Sequence, residues 1–166
     1  MSTVAGSKVA CRLGKMEGVR WLSADEQEAW RLFLRFYRTF ADRLNEDLSP
    51  FGFDQADYEI LALLSEAPDR QLRMSELAHV AVFPNSRLTY RITQLVQRGF
   101  VERIKCETDG RGSFAHLTPE GQETVERLAP VHVDGVRRYL FEQVTEPELG
   151  QFTAFLQHAL RRLDGD

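Results

Sequence analysis

Residues 74–121 read MSELAHVAVFPNSRLTYRITQLVQRGFVERIKCETDGRGSFAHLTPEG, and the punctuation of this stretch decides the fold. A short helix is expected over roughly 74–82, with Leu77 and Ala78 inward. Pro84 then opens a second helix, since its missing N–H costs nothing in a first turn. Leu88, Ile92, Leu95 and Val96 form the buried side of that helix, and Gly99 stands in the usual C-cap place. The period then changes. FVERIKC (100–106) and SFAHL (113–117) read as strands joined by the tight connection ETDGRG. Thr118, Pro119 and Glu120 restart a helix, with threonine as N-cap and proline in the first turn. Two short helices, the turn AVFPNS and a β-hairpin make a winged helix-turn-helix.

A helix fits the major groove of duplex DNA, and a helix-turn-helix lays its second helix there. With Leu88, Ile92 and Leu95 inward, the wheel turns Asn85, Ser86, Thr89, Tyr90 and Thr93 outward, with Arg87 to one side but within reach. Asparagine can pair with adenine, arginine with guanine, and serine or threonine with either base or a phosphate. Arg91 sits nearer the buried side, where a phosphate contact and a structural ion pair are both open. Arg73 and Ser75 begin the preceding helix and suit a phosphate. No Asp or Glu occurs from 77 to 101, whereas a merely solvated helix would mix both signs. The tip GRG places Arg111 between two glycines that remove side-chain bulk and allow positive φ. Such a tip can enter the narrow minor groove beside the recognition helix, with Asp109 holding the tip or orienting the guanidinium.

The wider charge pattern agrees. The chain of 166 residues carries a formal charge of −4, yet residues 70–111 hold eight Lys/Arg against four Asp/Glu. A basic middle between acidic arms is an electrostatic footprint. Working outward, residues 1–22 show no sustained period and read as a loose arm. Ser23 and Glu26 form a capping box for a long helix with apolar positions at Trp30, Phe33, Leu34, Tyr37, Phe40, Ala41, Leu44 and Leu48. Pro50 and Gly52 end it, and Asp54 caps a shorter helix through Ile60, Leu61, Leu63 and Leu64. The helix after the wing is expected to run to about Val144, kinked or split at Pro130. Thr145 and Glu148 cap a last helix. The fold class is therefore mainly α with a small β-hairpin wing. Residues 54–118 form the DNA-binding domain; 23–53 and 119–166 form a helical region with more apolar surface than one chain covers.

No stretch approaches the length of a bilayer span, and the N-terminus lacks the apolar centre of a signal peptide, so a cytoplasmic protein is expected. Cys11 and Cys106 are too few for a disulfide framework. His79, His116, His132 and His158 lack ligand spacing, so no metal or cofactor is expected. Phosphate loops, nucleophile elbows and H-E-x-x-H patterns are missing from the sequence, which argues against an enzyme.

On these residues the chain resembles the MarR (multiple-antibiotic-resistance regulator) family of bacterial transcription factors. SELA, the ending built from Leu95, Arg98, Gly99, Phe100 and Val101, the wing pair Asp109 and Arg111, and LTPEG stand in the family's order. RWLSADEQEAWR at the first helix looks like actinobacterial members. The resemblance implies a homodimer on a palindromic operator, with Phe152, Phe155, Leu156, Leu160 and Leu163 packed across the two-fold axis. It implies a cleft for a small aromatic or anionic effector drawing on Trp30, Phe33, Tyr37, Phe53 and Tyr58, and a repressor as the usual role. Two positions depart from the pattern: Pro84 replaces a Ser or Thr cap, and Arg91 replaces an apolar residue. The competing readings are a winged-helix interaction adaptor and a regulator sensing oxidants through cysteine.

Overall fold

The computed structural model describes residues 19–105 and 112–165. The chain divides into two compact units between Tyr37 and Arg38, within the first helix. In the first unit, α1 (Ala24–Leu48) begins at the expected box: the Glu26 N–H donates to Ser23 Oγ at 3.1 Å, and the Ser23 N–H donates to Glu26 Oε2 at 2.7 Å. Two orphan donors of the first turn are thereby satisfied.

The second unit holds the end of α1, a 3-10 turn (Ser49–Phe51), α2 (Gln55–Glu66), β1 (Gln71–Arg73), α3 (Met74–Val80) and α4 (Asn85–Gln97). It continues with β2 (Val101–Lys105), β3 (Ser113–Leu117), α5 (Pro119–Val136), a π-helical segment (Arg137–Phe141) and α6 (Glu146–Asp164). Gly52, at φ 76°, takes the left-handed turn that closes the 3-10 segment. Asp54 caps α2 by accepting the Asp57 N–H at 2.8 Å. The core is one cluster: Leu48, Ile60, Leu61 and Leu64 meet Leu77, Leu88, Ile92 and Leu95, closed by Val101, Ala115 and Leu117 from the sheet and Leu128 from α5. Two glycines permit the closest approaches. A Cβ on Gly121 would overlap the Phe100 carbonyl oxygen and lie 2.6 Å from Leu117 Cδ1; one on Gly135 would lie 2.9 Å from Leu44 Cδ2.

Several expectations need correction. The expected hairpin of β2 and β3 is present, and β1 adds a third strand to it in the antiparallel order β1–β3–β2, with Leu72 and Arg103 flanking Ala115 in register. Three residues, Gln71–Arg73, are too few for a period-2 signal, and β3 makes them a strand by supplying the ladder. The helix over 74–82 stops at Val80, because Val82 adopts φ 52°, which no right-handed helix contains. Pro84 is the extended residue before α4 (φ −56°, ψ 138°), so Asn85 is the first helical residue. Val96 lies on the exposed side of α4. The helix after the wing is not split at Pro130. It leaves α geometry later, at Arg137, and its last π-helical residue is Phe141 rather than Val144. The α-helical run from Pro119 to Val136 passes Pro130 unbroken, without the one backbone bond that proline cannot donate.

Candidate nucleic-acid interface

The two helices and the sheet put one polar surface together. Asn85, Ser86, Arg87, Thr89, Tyr90 and Thr93 are all exposed on α4, with Leu88, Ile92 and Leu95 buried beneath them. Thr89 Oγ1 donates to the Asn85 carbonyl and Thr93 Oγ1 to the Thr89 carbonyl, each at 2.8 Å. Their hydroxyl protons are thereby used, so both threonines offer acceptor lone pairs and methyl groups outward. A groove can use both: amino groups of adenine or cytosine for the first, thymine methyls for the second.

Beside this face lies a cleft of about 360 Å³ lined by Arg73, Ser75, Asn85, Thr89, Arg103 and Ser113, among others. It joins the start of α3, the start of α4 and all three strands. The Arg73 guanidinium stacks 5.2 Å from the Phe114 ring centroid, and Arg103 Nε donates to Ser113 Oγ at 3.0 Å. Both cations thus stand on the sheet while flanking the helix. Arg103 was legible only as one charge in a basic run; its place in the cleft comes from β2–β3 pairing, where it stands opposite Ala115. Asp109 and Arg111, the wing-tip pair, lie outside the described residues, as do Cys11 and Cys106.

Arg91 takes the ion-pair geometry of its two open roles. Its Nη1 donates to Asp54 Oδ1 at 2.9 Å and to Asp57 Oδ1 at 2.6 Å. Arg98 Nη1 reaches Asp57 Oδ2 at 3.3 Å, and its Nη2 donates to the Gly52 carbonyl at 2.8 Å. The Arg98 guanidinium lies 4.1 Å from the Phe53 centroid and 5.0 Å from that of Phe100. Burial, then the neighbouring Asp54 charge, push the Asp57 carboxyl up, against the Arg91 and Arg98 contacts that pull it down. Burial works against the Arg91 charge, and the two carboxylates outweigh it.

The aromatic residues expected to line an effector cleft fall into two groups. Trp30, Phe33 and Tyr37 stack along α1 with centroid separations of 5.8 and 6.4 Å, and all three are exposed. Phe53 and Tyr58 are buried in the core of the second unit, Phe53 against Phe100 and Tyr58 against the His132 ring. Phe152, Phe155, Leu156, Leu160 and Leu163 are exposed on α6, which has no buried residue in the single chain. Among the described residues, no group of His, Cys, Asp and Glu could hold a metal ion, and no helix is long and apolar enough to cross a membrane.

A helix-turn-helix followed by a small antiparallel sheet places the chain in the class of winged-helix proteins. The model of the MarR family matches residues 53–113. The fold superposes with a TM-score of 0.84 on AbsC, a MarR family transcriptional regulator from Streptomyces coelicolor, at 40% identity, covering 89% of this chain and 100% of that one. The same score is reached with Sco3205, a MarR family transcriptional regulator of that organism solved in complex with DNA, at 37% identity over 87% of this chain and 92% of that one. The uncharacterized HTH-type transcriptional regulator YkoM of Bacillus subtilis is 26% identical over 144 residues, 83% of this chain and 92% of its own. The chain belongs to the MarR family.

Proposed function

We propose that the protein is a DNA-binding transcriptional regulator that occupies a palindromic operator as a homodimer and acts as a repressor. The observation that carries this reading is the exposed α4 face, bare of acids and adjoining the cleft of Arg73, Ser75 and Arg103. In this reading Asn85, Ser86, Thr89, Tyr90 and Thr93 meet base edges or nearby phosphates. Arg87, to one side of this face, reaches into the same major groove; Arg73 and Ser75 hold the sugar-phosphate backbone, and the wing pair Asp109 and Arg111 is assigned to the minor groove. Residues 54–118 serve as the DNA-binding part, with 23–53 and 119–166 as the dimerisation part. The exposed apolar row on α6 supports the dimer, since a large apolar face left in water is costly. A two-fold dimer would present two α4 helices to successive major grooves, about 34 Å apart. The exposed Trp30–Phe33–Tyr37 stack supports release by a small aromatic or anionic compound.

The deciding experiment is selection of bound fragments from random duplex DNA, followed by titration against salt. Enrichment of an inverted repeat, with affinity falling steeply as salt rises, is the expected result. A monomer that enriches nothing and shows no salt dependence would leave the protein-interaction adaptor instead.

A further inference from the structure

We propose that Arg91 is a positioning residue: clamped by Asp54 and Asp57, it fixes the rotation of α4 so that its outer face can discriminate bases, and it does not itself touch DNA. This rests on the reading of α4 as the recognition helix. Arg91 and Arg98 are seven residues apart, about two helical turns, and so leave α4 on the same side. Both reach one short segment, residues 52–57, at the start of α2. Two anchors two turns apart oppose both rolling and sliding of the helix. The Arg91–Asp57 pair at the centre of the clamp is largely withdrawn from water, with side chains 18% and 14% exposed, while Asp54 at 43% and Arg98 at 33% stand at its edge. It is also charge-balanced, two guanidiniums against two carboxylates, so it has no spare positive charge for a phosphate.

Rotation is the coordinate that matters. Side-chain tips on a helix lie about 5–6 Å from its axis, so a roll of some 20° shifts them by about 2 Å. A hydrogen bond to a base edge tolerates only a few tenths of that. An apolar residue at position 91 could fill the same volume, but it would slide over its neighbours, whereas a guanidinium held by two carboxylates has few acceptable directions. Asp54 is fixed in turn, because it also caps α2.

The test compares the double variant Asp54→Asn/Asp57→Asn with Arg91→Met, on the full-length protein and on the inverted repeat that the wild type selects. Asparagine still caps a helix, so α2 keeps its start. Positioning predicts that both variants lose at least tenfold in the ratio of operator to random-sequence affinity, about the worth of one base pair. For Arg91→Met it also predicts an unchanged slope of log K against log salt. A phosphate contact by Arg91 predicts instead that the double variant keeps its operator-to-random ratio while binding both DNAs more tightly. It further predicts a slope lowered by about one in Arg91→Met. Either result, or an unchanged ratio in the double variant, overturns the proposal. Failure of the wild type to select any sequence would instead remove the underlying reading of α4.

Discussion

Thr118 and Gly99 are joined by a hydrogen bond that ties the helix leaving the sheet to the end of α4. The Thr118 hydroxyl donates to the Gly99 carbonyl at 2.7 Å and accepts the Gly121 N–H at 3.0 Å. The hydroxyl therefore caps α5 and closes α4 at once, on a residue only 8% exposed. Thr118→Val keeps the shape and loses both bonds, leaving the buried Gly121 N–H unmet. A loss of about 2 kcal/mol is expected, read as a lower denaturant midpoint at unchanged slope.

Gly121 predicts a reversed sign. Alanine normally stabilises a helix interior relative to glycine by about 1 kcal/mol. Here the added methyl meets the Phe100 carbonyl and Leu117. Gly121→Ala is expected to cost about 1–3 kcal/mol by overpacking, measured by the same unfolding titration.

Val82 predicts the converse. It is β-branched at φ 52° and 86% exposed, so its conformation is strained and its side chain buries nothing. Val82→Asn suits the left-handed region and should gain about 1 kcal/mol. For a chain of this size that is a rise of roughly 2–4 °C in Tm by calorimetry. A Tm equal to or below that of the wild type would show that the turn holds no strain.

Acid sensitivity should trace in part to His132. Burial holds its pKa below the ordinary value of 6.5, with its ring 4.5 Å from that of Tyr58. The unfolded chain takes up this proton first as pH falls, so the unfolded state binds more protons just below 6.5. Stability is then full above that pH and declines as pH drops toward the lowered folded value. Unfolding midpoints at pH 7.5 and 5.5 should differ less in His132→Phe than in the wild type.

Arg103 should contribute to affinity without specificity. Arg103→Ala removes a cation from the cleft wall and leaves the α4 face intact. Binding to operator and to random DNA should weaken alike, with the salt slope reduced by about one. An unchanged slope would place Arg103 away from the phosphates.

Local signals made much of the fold legible. Capping boxes at Ser23 and Thr145, the N-caps Asp54 and Thr118, and the left-handed Gly52 and Gly99 each act within a few residues, so spacing alone exposes them. The outward side of α4 was equally readable, because the buried row Leu88, Ile92 and Leu95 fixes the helix by periodicity. Three features needed the folded chain. Gln71–Arg73 becomes a strand only when β3 offers it partners. Arg103 reaches the cleft only through cross-strand register. Arg91 meets Asp54 and Asp57 across more than thirty residues of sequence, and no local pattern distinguishes that ion pair from a cation turned to solvent. Periodicity and capping are short-range, written in neighbouring residues; pairing and ion clamps join distant ones, and packing alone selects among the partners.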